Sequence, residues 1–215
     1  MTHFFVEFRF HGYAKRYLKS LIYEVAREFR VKGAIKPRPV PHMALFYNSS
    51  GTAASRKVLS AVEKVGKKYT IVPFKVEGSD WPEWRVDEEG KKVIAAGITA
   101  SPELKKLRLE LRKELSKISI PGTFDYDTED AFWFHSVIAF KDIDHKFNQI
   151  WHHLNAKEKP QINQYLLRIT VLGKNRKIMR EYDLILKRWL NRWQVVLPGV
   201  RRYWWRKTIN RLRGV

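Results

Sequence analysis

The chain has 215 residues, of which 44% are hydrophobic, and it contains no cysteine. That length and apolar content suit one large domain or two small lobes sharing a core. The missing cysteines exclude disulfides, thiolate metal ligands and cysteine nucleophiles. Lys and Arg number 42 against 22 Asp and Glu, a formal net charge of +20, which favours a polyanionic partner, nucleic acid or an anionic membrane surface. The excess is uneven, because residues 187–215 hold nine Lys or Arg and no Asp or Glu. No run approaches the ~18 apolar residues of a membrane span. The strand-like run Phe4 to Phe10 contains Glu7 and Arg9 and is no signal-peptide core. The cytoplasm is the expected address and a monomer the expected state.

In chain order, Phe4 to Phe10 predicts a strand. Tyr13 to Arg30 places Tyr17, Leu21, Val25 and Phe29 at steps of four, an amphipathic helix. Pro37, Pro39 and Pro41 deliver an extended run, His42 to Tyr47. A helix carrying Val58, Ala61, Val62 and Val65 on one face follows, then a strand from Thr70 to Val76. The order then recurs. Lys92 to Ile98 is a strand, Pro102 opens a helix with the stripe Leu104, Leu107, Leu111 and Leu115, and Ala131 to Phe140 is an extended run. A helix around Asp144 to Leu154 and a strand from Tyr165 to Leu172 complete it, before a turn at Gly173 into Lys177 to Leu186. The fold class read from this order is α+β and bilobal, with two pseudo-symmetric lobes whose antiparallel sheets flank a central groove. It spans residues 1–190, and residues 191–215 form a basic, Trp/Arg-rich extension.

Each copy puts a histidine on its extended run. Alternation makes His42, Ala44 and Phe46 share one face, and Trp133, His135, Val137 and Ala139 share another, with Phe134, Ser136, Ile138 and Phe140 turned to the core. A lone histidine on a strand is more often structural than catalytic. Two at corresponding positions of a repeat point to one cleft holding one protonated and one neutral imidazole, which is what acid–base cleavage of a phosphoester needs.

Pro41-His42-Met43-Ala44-Leu45 and Phe134-His135-Ser136-Val137-Ile138 resemble the paired motifs of the 2H phosphoesterase superfamily. The strand Tyr165 to Leu172, followed by a Lys/Arg-rich turn and Glu181-Tyr182-Asp183, is similar to the closing strands of its 2'-5' RNA ligase-like, or RNA 2',3'-cyclic phosphodiesterase, branch. The resemblance implies metal-free, cofactor-free hydrolysis of RNA 2',3'-cyclic phosphate ends to 2'-phosphates, or the reverse ligation to a 5'-hydroxyl. It implies His42 as acid and His135 as base, although the near-symmetry of the motifs does little to separate the roles. The family pattern carries Thr or Ser two residues after each histidine, where this chain has Ala44 and Val137. Lys36, Arg38 and Arg168 are the basic candidates for holding phosphate in their stead. Ser136 is the hydroxyl beside His135, though one residue on it belongs to the opposite face. The departures keep a second reading open, an RNA-binding protein of the same fold with little or no catalysis.

His145, His152 and His153 do not make a metal site on a helix, since positions 145 and 152 lie ~10.5 Å apart along its axis. Trp84 and Arg85 fall in a hairpin tip that either caps the core or stacks bases at the groove mouth. The acidic run Asp125 to Asp130 is expected to face away from RNA. In the tail, Trp189 and Trp193 are expected to finish a helix before Pro198, and Trp205, Ile209 and Leu212 to form the apolar face of another. Such a segment suits RNA, an anionic membrane or docking on the body, and RNA contact agrees best with the rest of the chain.

Overall fold

A computed structural model describes residues 3–32, 39–50, 53–76, 83–86, 90–122 and 132–214. The described elements begin with β1 (Phe5–Arg9), α1 (Gly12–Glu28), β2 (His42–Ser50), α2 (Ser55–Gly66), β3 (Val72–Val76) and β4 (Glu83–Val86). Next come β5 (Lys92–Ala100), α3 (Pro102–Leu115), β6 (Ile120–Pro121), β7 (His135–Phe140) and α4 (Phe147–Asn155). The chain ends with β8 (Ile162–Leu166), β9 (Arg168–Leu172), β10 (Ile178–Asp183), β11 (Arg188–Asn191), α5 (Arg192–Val196) and α6 (Pro198–Arg213). One antiparallel sheet has the order β11-β10-β9-β1-β2-β6, and the other has β4-β5-β3-β8 with β7 paired to β5. The α+β, two-sheet architecture expected from the element order is what the chain adopts.

The helices form where apolar spacing can bury a face. On α3, Leu104, Leu107, Leu111 and Leu115 are all fully buried, each contributing about 1.5–3 kcal/mol of transfer free energy. Ser101 caps that helix by accepting from the Leu104 N–H at 3.1 Å, with Pro102 at its first turn. On α1 the buried set is Ala14, Leu18, Leu21, Ile22 and Val25. Gly12 takes φ 59° as the chain turns from β1 into α1, a conformation that glycine adopts without strain.

Neither sheet is built from one copy of the repeat alone. β3, from the first half, lies between β5 and β8 in the second sheet, while β9, from the second half, pairs with β1 in the first. The run expected as a single strand, Tyr165 to Leu172, is therefore two strands: β8 ends in one sheet at Leu166, and β9 begins in the other at Arg168. The sequence does not reveal such a crossing, because Leu166, Leu167 and all of β9 are buried without a break and neither Gly nor Pro marks the step.

A second correction concerns the histidine strands. Arg9 faces His42 and Glu7 faces Ala44, but Val6 then faces Phe46, so Leu45 is an extra residue. In the other copy Gly97 faces His135 and Ala95 faces Val137, but Ile94 faces Ala139, so Ile138 is the extra residue. Both bulges fall three residues after the histidine. Each reverses the alternation beyond it. Phe46 therefore leaves the face of His42 and Ala44 for the core, where it stacks on Phe4 at 5.8 Å. Ala139 is likewise fully buried.

The tail also departs from expectation. Trp189 lies on β11, where it faces Tyr182 of β10, rather than on a helix. Asn191 then starts α5 with a capping box to Gln194. Helix α6 does form, but its most buried residue is Thr208, while Leu212 is 38% exposed. No described helix is long and apolar enough to cross a membrane.

Candidate active site

The two sheets meet at β2 and β7, the strands that carry the histidines. Residue preferences explain why the rings sit there. Met43 and Leu45 on β2, and Ile138 and Ala139 on β7, are buried in the core and hold each strand down. His42 and His135 stand on the other face, partly accessible. The structure brings them within electrostatic reach of each other.

Each ring is anchored in the same way. Nδ1 of His42 lies 2.9 Å from the Val40 carbonyl oxygen, and Nδ1 of His135 lies 2.8 Å from the Trp133 carbonyl oxygen. A carbonyl oxygen only accepts, so Nδ1 of each ring carries a proton and donates it. Nε2 is therefore the nitrogen left free to take up or give a proton in both. The same anchor, two residues upstream in both copies, makes the histidines structural equivalents.

Their surroundings differ. Position for position in the two strand pairs, Glu7 and Arg9 beside His42 correspond to Ala95 and Gly97 beside His135. Glu7 is 5% exposed, with Oε1 accepting from Arg9 Nε at 2.6 Å and Oε2 standing 4.0 Å from His42 Nε2. His42 thus has a carboxylate at hand to pair with its imidazolium. His135 instead stacks on Trp133 with ring centroids 3.8 Å apart. Burial holds its pKa down at about 4, against the pull of its bond to the Trp133 carbonyl and helped by repulsion from His42 and Arg85. At neutral pH that ring is uncharged.

The other expected site residues fare differently. Lys36 and Arg38 lie outside the described residues, as does the acidic run Asp125 to Asp130. Ser136 is 1% exposed and faces Ala96 from the core side of β7, and its hydroxyl has no hydrogen-bond partner among the described residues. Arg168 is 3% exposed, with Nε donating to Asp183 at 2.9 Å, Nη1 to Glu181 at 3.1 Å and Nη2 to Thr208 at 2.7 Å. Buried and held by two carboxylates and a hydroxyl inside the fold, it does not present its guanidinium at the histidines. Ala44, by contrast, is exposed on the His42 face.

Two arginines that were not singled out for phosphate stand near the rings. Arg9 is the cross-strand neighbour of His42. Arg85, exposed on β4, carries its guanidinium 5.4 Å from the Trp133 ring centre and near enough to His135 to repel its proton. Trp84 is 41% exposed and packs edge-on to Phe147 at 5.3 Å, which is a position between the two expected for the hairpin. Glu7 and Arg9 did carry a signal, as two opposite charges spaced two apart in an otherwise apolar strand. Among the described residues no group of three or more His, Asp or Glu is arranged to hold a metal ion, and His153 is bonded to Glu24 at 2.7 Å.

No family model and no curated protein sequence matches the chain. Solved structures do. Kluyveromyces marxianus Usb1 is similar at 9% identity and a TM-score of 0.45, covering 79% of this chain and 92% of that one. E. coli LigT in its apo form is similar at 12% identity and a TM-score of 0.45, covering 88% and 94%. E. coli LigT complexed with 3'-AMP gives 13% identity and a TM-score of 0.46, covering 80% and 87%. At that similarity no residue's role transfers from one chain to another.

Proposed function

We propose that the chain hydrolyses RNA 2',3'-cyclic phosphate ends to 2'-phosphates, with His135 as general base and His42 as general acid. The observation that carries the reading is the equivalence of the two rings: each is held through Nδ1 by the carbonyl two residues upstream, on strands that meet. Nε2 of neutral His135 takes a proton from water as the water oxygen bonds to phosphorus. The bond from phosphorus to the 3'-oxygen breaks, and Nε2 of protonated His42 gives its proton to that oxygen. With an RNA 5'-hydroxyl attacking phosphorus in place of water, the same pair and the same broken bond to the 3'-oxygen leave a 2'-5' bond. Their surroundings support these roles: Glu7 stands beside His42, and burial keeps His135 neutral. Arg9 and Arg85 are the cations placed to attract the phosphate.

The decisive assay is incubation of the chain with an oligonucleotide ending in a 2',3'-cyclic phosphate. A 2'-phosphate product that disappears in His42→Ala and in His135→Ala supports the reading. Firm binding without product supports the second reading, a binding protein, which is favoured by the exposed, hydroxyl-free Ala44.

A further inference from the structure

Helix α6 and the start of α1 border an open groove of about 950 Å³. It is lined by His11, Arg201, Arg202, Trp205, Arg206 and Arg213, and none of its lining residues is an Asp or Glu. None of those four arginines is in an ion pair with a carboxylate among the described residues. The groove is also fixed in shape. Trp205 forms part of its wall, held by the Arg168 guanidinium 4.0 Å from its ring centre and by the His11 ring at 4.9 Å. Thr208, one turn on, is fully buried against β9 and β10.

A short stretch of β1 and α1 joins the groove to the histidine pair. Arg9 faces His42 across β1 and β2. Two residues on, His11 lines the groove. Lys15, one turn into α1, has its pKa lowered by burial and then by repulsion from Arg201, Lys19 and Arg9, which places it among the charges of both sites. A concave, cationic, acid-free groove fits a strand of phosphates, which can enter it, better than a flat bilayer, which reaches convex surfaces.

We propose that this groove binds the phosphate backbone of single-stranded RNA, holding the nucleotides upstream of the end that lies between His42 and His135. The placement of the end rests on the phosphodiesterase reading, whereas the binding does not. The strand runs from His42 past Arg9 and Lys15 onto Arg201, Arg202 and Arg206.

The test is fluorescence anisotropy with a labelled single-stranded RNA of about 12 nucleotides ending in a 3'-hydroxyl, so that turnover plays no part. The full chain is compared with the triple variant Arg201→Gln, Arg202→Gln, Arg206→Gln. A control triple variant removes the same charge from α3 through Lys105→Gln, Lys106→Gln and Lys113→Gln, all exposed. Matching thermal midpoints establish that each variant is folded. The groove variant should bind at least about tenfold more weakly near 0.1 M salt, and its slope of log affinity against log salt should be shallower by up to about 2, at ~0.7 per released single-strand contact. The control should change little. Equal losses in both variants, or none in the groove variant, would overturn the proposal. So would an intact RNA affinity combined with lost binding to phosphatidylserine-containing vesicles, the result expected if exposed Trp193, Leu197, Val200 and Tyr203 face a membrane. Loss of RNA binding in the groove variant, with no hydrolysis by the unmodified chain, would uphold the groove and sink only the phosphodiesterase reading.

Discussion

Arg168 on β9 donates from Nη2 to the hydroxyl of Thr208 on α6 at 2.7 Å, and that hydroxyl donates in turn to Asp183. Both residues are buried, at 3% and 0% exposed. The contact binds the basic C-terminal helix to the sheet that carries His42, so the tail is part of the body and not a loose arm. Each nitrogen of the guanidinium donates once, to the two carboxylates and to this hydroxyl. Removing only the hydroxyl with Thr208→Val leaves a buried guanidinium donor unmet and should destabilise the fold by about 1–3 kcal/mol. Thr208→Ser should recover most of that loss. Urea unfolding of the three proteins checks it, and superimposable curves would show that the helix is held by other contacts.

Each histidine supplies one proton transfer in the proposed reaction. His42→Ala and His135→Ala should each lower kcat by ~10²–10⁴. Because the two rings handle both protons, EDTA should leave the rate unchanged. Full activity in His42→Ala would remove the two-imidazole mechanism.

His135 also carries a pH signature. Its folded pKa lies at about 4 against an ordinary 6.5. Between those values the unfolded ring binds a proton that the folded ring refuses, so stability should fall as pH drops from about 6.5 towards 4. That part of the pH dependence should be absent in His135→Gln. In the kinetics of kcat/KM, the acidic limb set by the base should lie near pH 4. An anion bound beside the ring favours its cation, so its NMR titration should move upward with 2'-phosphate nucleotide present. An unmoved titration would place the phosphate elsewhere.

Ala44 is exposed on the His42 face, opposite Glu7. A hydroxyl there would stand on the same exposed face as His42, so Ala44→Thr should raise the rate about tenfold, the worth of one added hydrogen bond to a charged oxygen. Val137→Ser, on the His135 face, is the matching substitution. No gain from either would mean that Arg9 and Arg85 already meet the phosphate's needs. In that case Arg85→Gln should raise KM.

Alternation and helical spacing in the sequence were sufficient for most element types and for placing His42 and His135 on corresponding strands, because burying one face of a strand or helix imposes its period on the chain; Trp189, expected in a helix, lies on β11 instead. They also located Ala44 on an accessible face. Local pattern ends where distant segments choose partners. The exchange of β3 and β9 between sheets, the division of Tyr165 to Leu172 into two strands and the bulges at Leu45 and Ile138 all depend on which strand lies alongside, and no neighbour in sequence encodes that. The same limit governs charge. Arg168 reads as a free cation among surface residues, yet two carboxylates and Thr208, 13 to 40 positions away, enclose it. Two similar motifs also give the two rings no different surroundings. Their difference, Glu7 across β1 beside His42 and burial against Trp133 for His135, is electrostatic and exists only once the chain has folded.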